Sequence, residues 1–359
     1  MPVRIELYKT LFNEQEKSLC QFGEFSVSAF IFKSGVNALR IKNSRGEIVM
    51  LPFQGMQVWR AMFDGRELTM RSMFEQPKNT PVYLETYGAF LIHCGLAGLG
   101  APGPTDNHPL HGELPNAPMD SAWLEIEEEA GTITVVGQYR HTVAFSTNYN
   151  ATISTTLSAG SALLDAEVAI ENLKQTPMEL MYLAHANFRP VDNGELYYSA
   201  YYTAKSVRVR KSIPGHVTPR PGYKEFLEEL AEDPTKHHKL QPGLGFDPEV
   251  VFEIDLKAGA DGFAHALQKH PENFSDYISY RPEDAPVCMR WICRTPDQDG
   301  LGVAFPSTSG VEGYTIEKNK GRVTNLEGGK TWRIAMRLGH LTADETADVI
   351  RTIEQIQNT

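Results

Sequence analysis

Hydrophobic and polar residues alternate with period two along residues 131–139, 151–157, 164–170 and 206–210. Such alternation sends successive side chains to opposite faces and predicts strands with one face buried and one wet. Turn chemistry separates the runs, as in Asn43-Ser-Arg-Gly46, Asp64-Gly65, Asp192-Asn-Gly194 and Asp297-Gln-Asp-Gly300. Short strands bounded by turns from beginning to end predict a large antiparallel sandwich rather than βαβ units. Two segments carry a helical period. Residues 223–232 place Phe226, Leu227 and Leu230 on one stripe, and residues 342–357 open with Thr342 as N-cap, Glu345 three places on, and Ala347, Ile350, Ile353 and Ile356 along one side. The least regular stretches are 96–116, rich in Gly and Pro, and 213–248; long loops of this kind often carry function.

Composition narrows the function classes. The 359 residues hold 45 acidic and 34 basic side chains, a net charge of -11, which disfavours nucleic acid and anionic lipid as partners. With 41% hydrophobic and 22% charged residues the chain reads as an ordinary globular protein without a membrane span. The length admits several domains or one large sandwich, and we expect one unit over 1–359. Cys20, Cys94, Cys288 and Cys293 form no CxxC pair, so reduced thiols are expected. Arg4, Glu6, Lys9, Glu14, Glu16 and Lys17 interrupt the N-terminal apolar residues, unlike a signal peptide, and point to the cytoplasm. A homodimer stays open.

Candidate chemistry gathers in three places. His93, His108 and His111 fall within one glycine-rich stretch, where backbone can approach a ligand closely and imidazoles can exchange protons near neutral pH. With Glu113 they also read as part of a metal-ligand set, although Pro109 interrupts any regular element between two of them. An apolar strand then ends in His185, Asn187, Arg189 and Asp192; residues two apart share a strand face, so the first three can project into one cleft. The third is a buried strand, residues 300–305, running into a polar loop with Ser307, Thr308 and Glu312. P-loop, GxGxxG, GxSxG and HExxH patterns are absent.

These clusters together resemble the aldose 1-epimerase (galactose mutarotase-like) superfamily, most closely its uncharacterised mutarotase-like branch. Residues 53–68, ending in Asp64-Gly-Arg-Glu-Leu68, are similar to the family's opening strand and "DGREL" turn; Leu110-His-Gly112 with downstream Trp123 resembles its "LHG...W" segment; His185-Ala-Asn-Phe188 resembles its "NHxYFN" motif. The resemblance implies an all-β fold, a β-supersandwich of antiparallel sheets with a few accessory helices. It implies a cofactor-independent reaction on a small-molecule carbohydrate: interconversion of α and β anomers of a free sugar by acid/base ring opening. By resemblance His185 is the general acid and His111 binds and polarises the sugar, with Asn187, Arg189, Asp192, Asn116, His108 and His93 as further substrate-binding candidates. The family's "GVALE" strand carries the basic glutamate at its end, and here the matching residues 301–305 end in Phe305. The nearest downstream carboxylate, Glu312, is therefore the expected base and Asp192 the second choice. A catalytically silent sugar-binding protein and a metal-dependent sugar isomerase using His93, His108, His111 and Glu113 are the alternatives. Arg60, Arg71 and Arg189 are the candidates for an anionic sugar substituent.

Overall fold

A computed structural model describes residues 2–359 apart from Pro214, His216 and Leu244. Two antiparallel sheets form its framework. One contains nine strands among the described residues and runs from the N-terminal strand Val3–Leu7 through Ser121–Glu127, Thr132–Val143, Thr147–Ser158, Leu163–Asn172 and Thr331–Leu341 to Glu195–Tyr198. The alternating segments read from the sequence lie in this sheet at full register, for example Ala151 opposite Ile170 and Leu157 opposite Leu164. Residues 206–210 contribute a shorter strand, Val207–Val209, to the edge of the other sheet.

The second sheet builds the site. Its central strands are β1 (Leu91–Leu96), β2 (Met178–Ala186), β3 (Val250–Ile254), β4 (Val287–Arg294) and β5 (Asp299–Ser307). In space β3 pairs β4, β4 pairs β5, β5 pairs β2 and β2 pairs β1. Both faces are covered, so these strands are nearly continuous apolar runs rather than alternating ones. Leu180, Tyr182, Ala184 and Ala186 of β2 face the main core between the sheets. Met181 and Leu183 face a second apolar cluster on the opposite side, with Tyr83, Tyr87, Met289, Trp291 and Phe305.

Helix α1 (Tyr223–Glu232) lies inside the long irregular stretch, and α3 (Ala343–Gln357) closes the chain, as its pattern predicts. Thr342 accepts a hydrogen bond from the backbone N–H of Glu345, and the Glu345 carboxylate accepts one from the N–H of Thr342, a reciprocal cap. One element departs from expectation: the polar stretch after β5 continues into the short helix α2 (Tyr314–Asn319). All four cysteines are free thiols. Among the described residues no helix is long and apolar enough to cross a membrane.

Candidate active site

A cavity of about 570 Å³ opens on the outer face of the second sheet, within the usual range for small-molecule sites, about 300–1,000 Å³. Strand side chains supply one wall: Leu183 and His185 from β2, Val251 from β3, Met289 and Trp291 from β4, and Phe305 from β5. Loops supply the rest, notably Tyr83 and Tyr87, His111, Arg210 and Glu249. Most of this lining is apolar or aromatic, and its few polar groups are the ones able to orient a ligand or move a proton.

His185 is buried at 6% exposure among aromatic rings: its centroid lies 4.1 Å from Phe305, 5.5 Å from Tyr87 and 5.7 Å from both Trp291 and His111. Its Nδ1 is 2.7 Å from Oδ1 of Asn187. The Asn187 amide donates its Nδ2 hydrogen to the carbonyl of Ala89 at 3.0 Å, which fixes Oδ1 as the atom facing the imidazole. Tyr87 also donates to that oxygen, at 3.3 Å. The hydrogen of His185 therefore sits on Nδ1, leaving Nε2 with its lone pair. Burial pushes the imidazole down to about 3, against a smaller opposing pull from the Asn187 bond, so the ring is neutral at physiological pH. That state suits an acceptor of a hydroxyl hydrogen and not the general acid expected from the sequence.

His111 enters from the loop before Gly112 with φ of 60°, an uncommon backbone state for a residue bearing a Cβ. Two main-chain bonds hold it there: its N–H donates to the carbonyl of Gly100 at 3.1 Å, and its carbonyl accepts from the N–H of Gly95 at 2.9 Å. Its ring lies 4.8 Å from that of Tyr83. Gly100 has no room for a side chain, since a Cβ would come within 1.9 Å of the Val311 carbonyl. The glycine-rich stretch thus seals the loop carrying His111 against the segment after β5.

The carboxylates are arranged differently from the sequence expectation. Phe305 packs directly on His185, so the end of β5 offers the imidazole a ring and no base. Glu312 is held by Arg210, Nε at 2.5 Å and Nη2 at 3.1 Å, and by the Ser212 hydroxyl at 2.9 Å. Burial opposes its ionisation, yet the bonds and charge of Arg210 outweigh that and keep it below the usual carboxylate range. It is not on the cavity wall. Glu249, at the entrance to β3, is on the wall; its Oε2 accepts a hydrogen bond from Trp291 Nε1 at 2.7 Å, and its backbone carbonyl accepts one from Tyr223 at 2.5 Å.

The other sequence candidates are brought elsewhere. His93 lies on the inner face of β1, bonded to the Tyr182 hydroxyl at 2.7 Å, where burial lowers it to about 4. His108 bonds the Pro109 carbonyl and accepts from the N–H of Tyr314 at 3.3 Å, packed so closely on Gly98 that a Cβ there would meet its ring at 2.1 Å. Asn116 accepts from Gln57 and Gln54 at 2.9 and 3.3 Å and is not on the cavity wall. Asn187 touches His185 and not the cavity, Arg189 donates to the Thr69 carbonyl, and Asp192 pairs with Arg294 at 2.9 Å. Arg60 and Arg71 likewise donate to main-chain carbonyls. Glu113 accepts from Tyr149 and from the N–H of Ala97, so His93, His108, His111 and Glu113 do not converge, and among the described residues no three metal-ligating side chains do.

Tyr83, Tyr87, Glu249 and Trp291 are the site residues that sequence reasoning missed. Glu249 had one signal, its place at the end of the long Pro-rich stretch immediately before a strand; the aromatic residues had none.

Two stacked antiparallel sheets with this outer cavity make the chain a galactose mutarotase-like fold. The same architecture is seen in a candidate aldose 1-epimerase from Klebsiella pneumoniae, with TM-score 0.77 and 19% identity over 99% of this chain and 92% of that one. It recurs in galactose mutarotase-like proteins from Clostridium acetobutylicum (TM-score 0.60, 15% identity, 88% and 98% covered) and Lactobacillus casei (0.52, 13%, 84% and 99%). A family model described as a domain of unknown function, DUF4432, matches residues 33–339, and the chain belongs to that family. No curated protein matches it.

Proposed function

We propose that the cavity binds a carbohydrate and interconverts its anomers by ring opening, without a cofactor. The observation that carries this reading is the pair of imidazoles, His111 and His185, with centroids 5.7 Å apart on the aromatic wall of a mutarotase-like fold. The apolar faces of Trp291 and the tyrosines suit the C–H face of a sugar ring, while the polar lining suits its hydroxyls. Ring opening moves two protons: one leaves the anomeric hydroxyl as C1 becomes a carbonyl, and one arrives on the ring oxygen as the C1–O bond breaks. His185, neutral and with Nε2 free of hydrogen, accepts a hydrogen bond from a sugar hydroxyl and holds the ring in place. The donor's part falls to His111.

A second reading has a specific observation behind it. Phe305 packs on His185 with ring centroids 4.1 Å apart, at the position that by resemblance carries the family's basic glutamate, and a ring there supports a sugar-binding protein without the chemistry. Exchange NMR of α and β signals across a panel of aldoses, deoxysugars, amino sugars and sugar acids separates the two. Accelerated exchange supports the epimerase; saturation-transfer contacts without acceleration support the binder; neither signal with any sugar removes both.

A further inference from the structure

Phe305 closes the place at the end of β5, yet the cavity is not without a carboxylate. Among the described residues only Glu249 and Asp297 bring one to its wall, and Asp297 is exposed at the rim. Glu312 is taken up by Arg210 and Ser212, Asp192 by Arg294, and Glu113 by Tyr149 and the N–H of Ala97. Glu249 is half-buried and fixed at both ends: Tyr223 bonds its main chain, and Trp291 Nε1 bonds Oε2. Trp291 in turn packs on His185 with ring centroids 5.7 Å apart, so one rigid aromatic residue sets the carboxylate relative to the imidazole. The Trp291 bond engages one carboxylate oxygen and leaves the other to a ligand.

We infer that Glu249 is the catalytic base of this site, supplied from the strand entrance two strands away in place of the side chain that Phe305 excludes. The inference rests on the anomer-exchange reading above. In the step it describes, Glu249 takes the proton from the anomeric hydroxyl, the O1–H electron pair forms the C1 carbonyl, the C1–O ring bond breaks, and the ring oxygen takes a proton from His111. Closure on the other face of the carbonyl runs the same transfers backwards and returns both groups to their starting states. The step needs no oxidant and no co-reactant. It also explains why β5 tolerates phenylalanine: the aromatic ring becomes part of the wall against which His185 is packed, and the proton acceptor has moved to another strand.

The test uses the intact chain and the sugar of the panel that gives the fastest exchange. Glu249→Gln keeps the acceptor for Trp291 Nε1 and removes the base; its kcat should fall by about 100-fold or more with KM changed by less than about threefold. Glu249→Ala should be slow as well and should regain rate on addition of formate, which enters as a free carboxylate; a purely structural loss would not be restored. Glu312→Gln should keep roughly half or more of the wild-type rate. Wild-type exchange with Glu249→Gln equally fast overturns the assignment and leaves the epimerase reading standing. Loss in Glu249→Ala without formate rescue, together with a normal rate in Glu249→Gln, also overturns it. A wild-type protein silent on the whole panel overturns the reading and the base with it.

Discussion

His93 and His185 stand on neighbouring strands and differ by one place in register: His93 lies opposite Ala184, and His185 opposite Ile92. Both are buried, both make one bond of 2.7 Å through Nδ1, and burial lowers both, to about 4 and about 3. One step along a strand turns a side chain to the other face of the sheet. His93 therefore meets Tyr182 in the core between the sheets, while His185 meets Asn187 and the cavity. Burial and a depressed pKa mark the two residues alike; the face of the sheet is what separates a structural imidazole from a candidate for chemistry.

His111→Gln, which removes the proton donor on the cavity side, should slow anomer exchange by about 100- to 10,000-fold with an unchanged circular dichroism spectrum; exchange NMR checks it. Asn187→Leu should cost about 10- to 100-fold, because the His185 ring loses the partner that fixes its tautomer and orientation. Nitrogen-15 NMR of the imidazoles should then show mixed tautomers at His185 where wild type shows one. On the inner face, His93→Leu should leave the exchange rate within about twofold of wild type while lowering stability in urea by about 1–3 kcal/mol, since the buried Tyr182 hydroxyl loses its partner. Urea midpoints compared with kinetics make this the direct counterpart of the cavity variants.

The last effect is in pH. In the unfolded chain both histidines titrate near the ordinary 6.5, but in the folded chain only near about 4 and about 3. Between those values the unfolded state binds protons that the folded state does not, so stability is full above pH 6.5 and declines as pH falls through 6.5 toward 3. Urea midpoints at pH 7.5, 5.5 and 4.5 should decrease in that order, and His93→Leu should flatten part of the slope. An identical slope in the variant would contradict the assignment for His93.

Much of the fold is legible in the sequence because its edges are regular. The nine-stranded sheet has a wet face, so residues 151–157 and 164–170 alternate visibly, and the Thr342 and Glu345 cap announces the last helix. The central strands are covered on both faces: Leu91–Leu96 is buried throughout, and nothing in its pattern tells which side His93 takes. The collinear motifs single out His111 and His185, and both line the cavity. Tyr83, Tyr87, Glu249 and Trp291 are not legible there, because they come from distant loops and strands that meet only when the sheet order is known. Pairings such as Arg210 with Glu312, which remove a carboxylate from the site, are set by tertiary structure alone.

The most direct test of the central claim, that chemistry belongs to the outer face of the second sheet, is anomer exchange measured side by side for wild type, His185→Ala and His93→Leu on one sugar at saturating concentration. Exchange is expected in wild type and in His93→Leu, and its loss in His185→Ala with the fold intact by circular dichroism. Equal rates in the two variants, or a loss confined to His93→Leu, would contradict it.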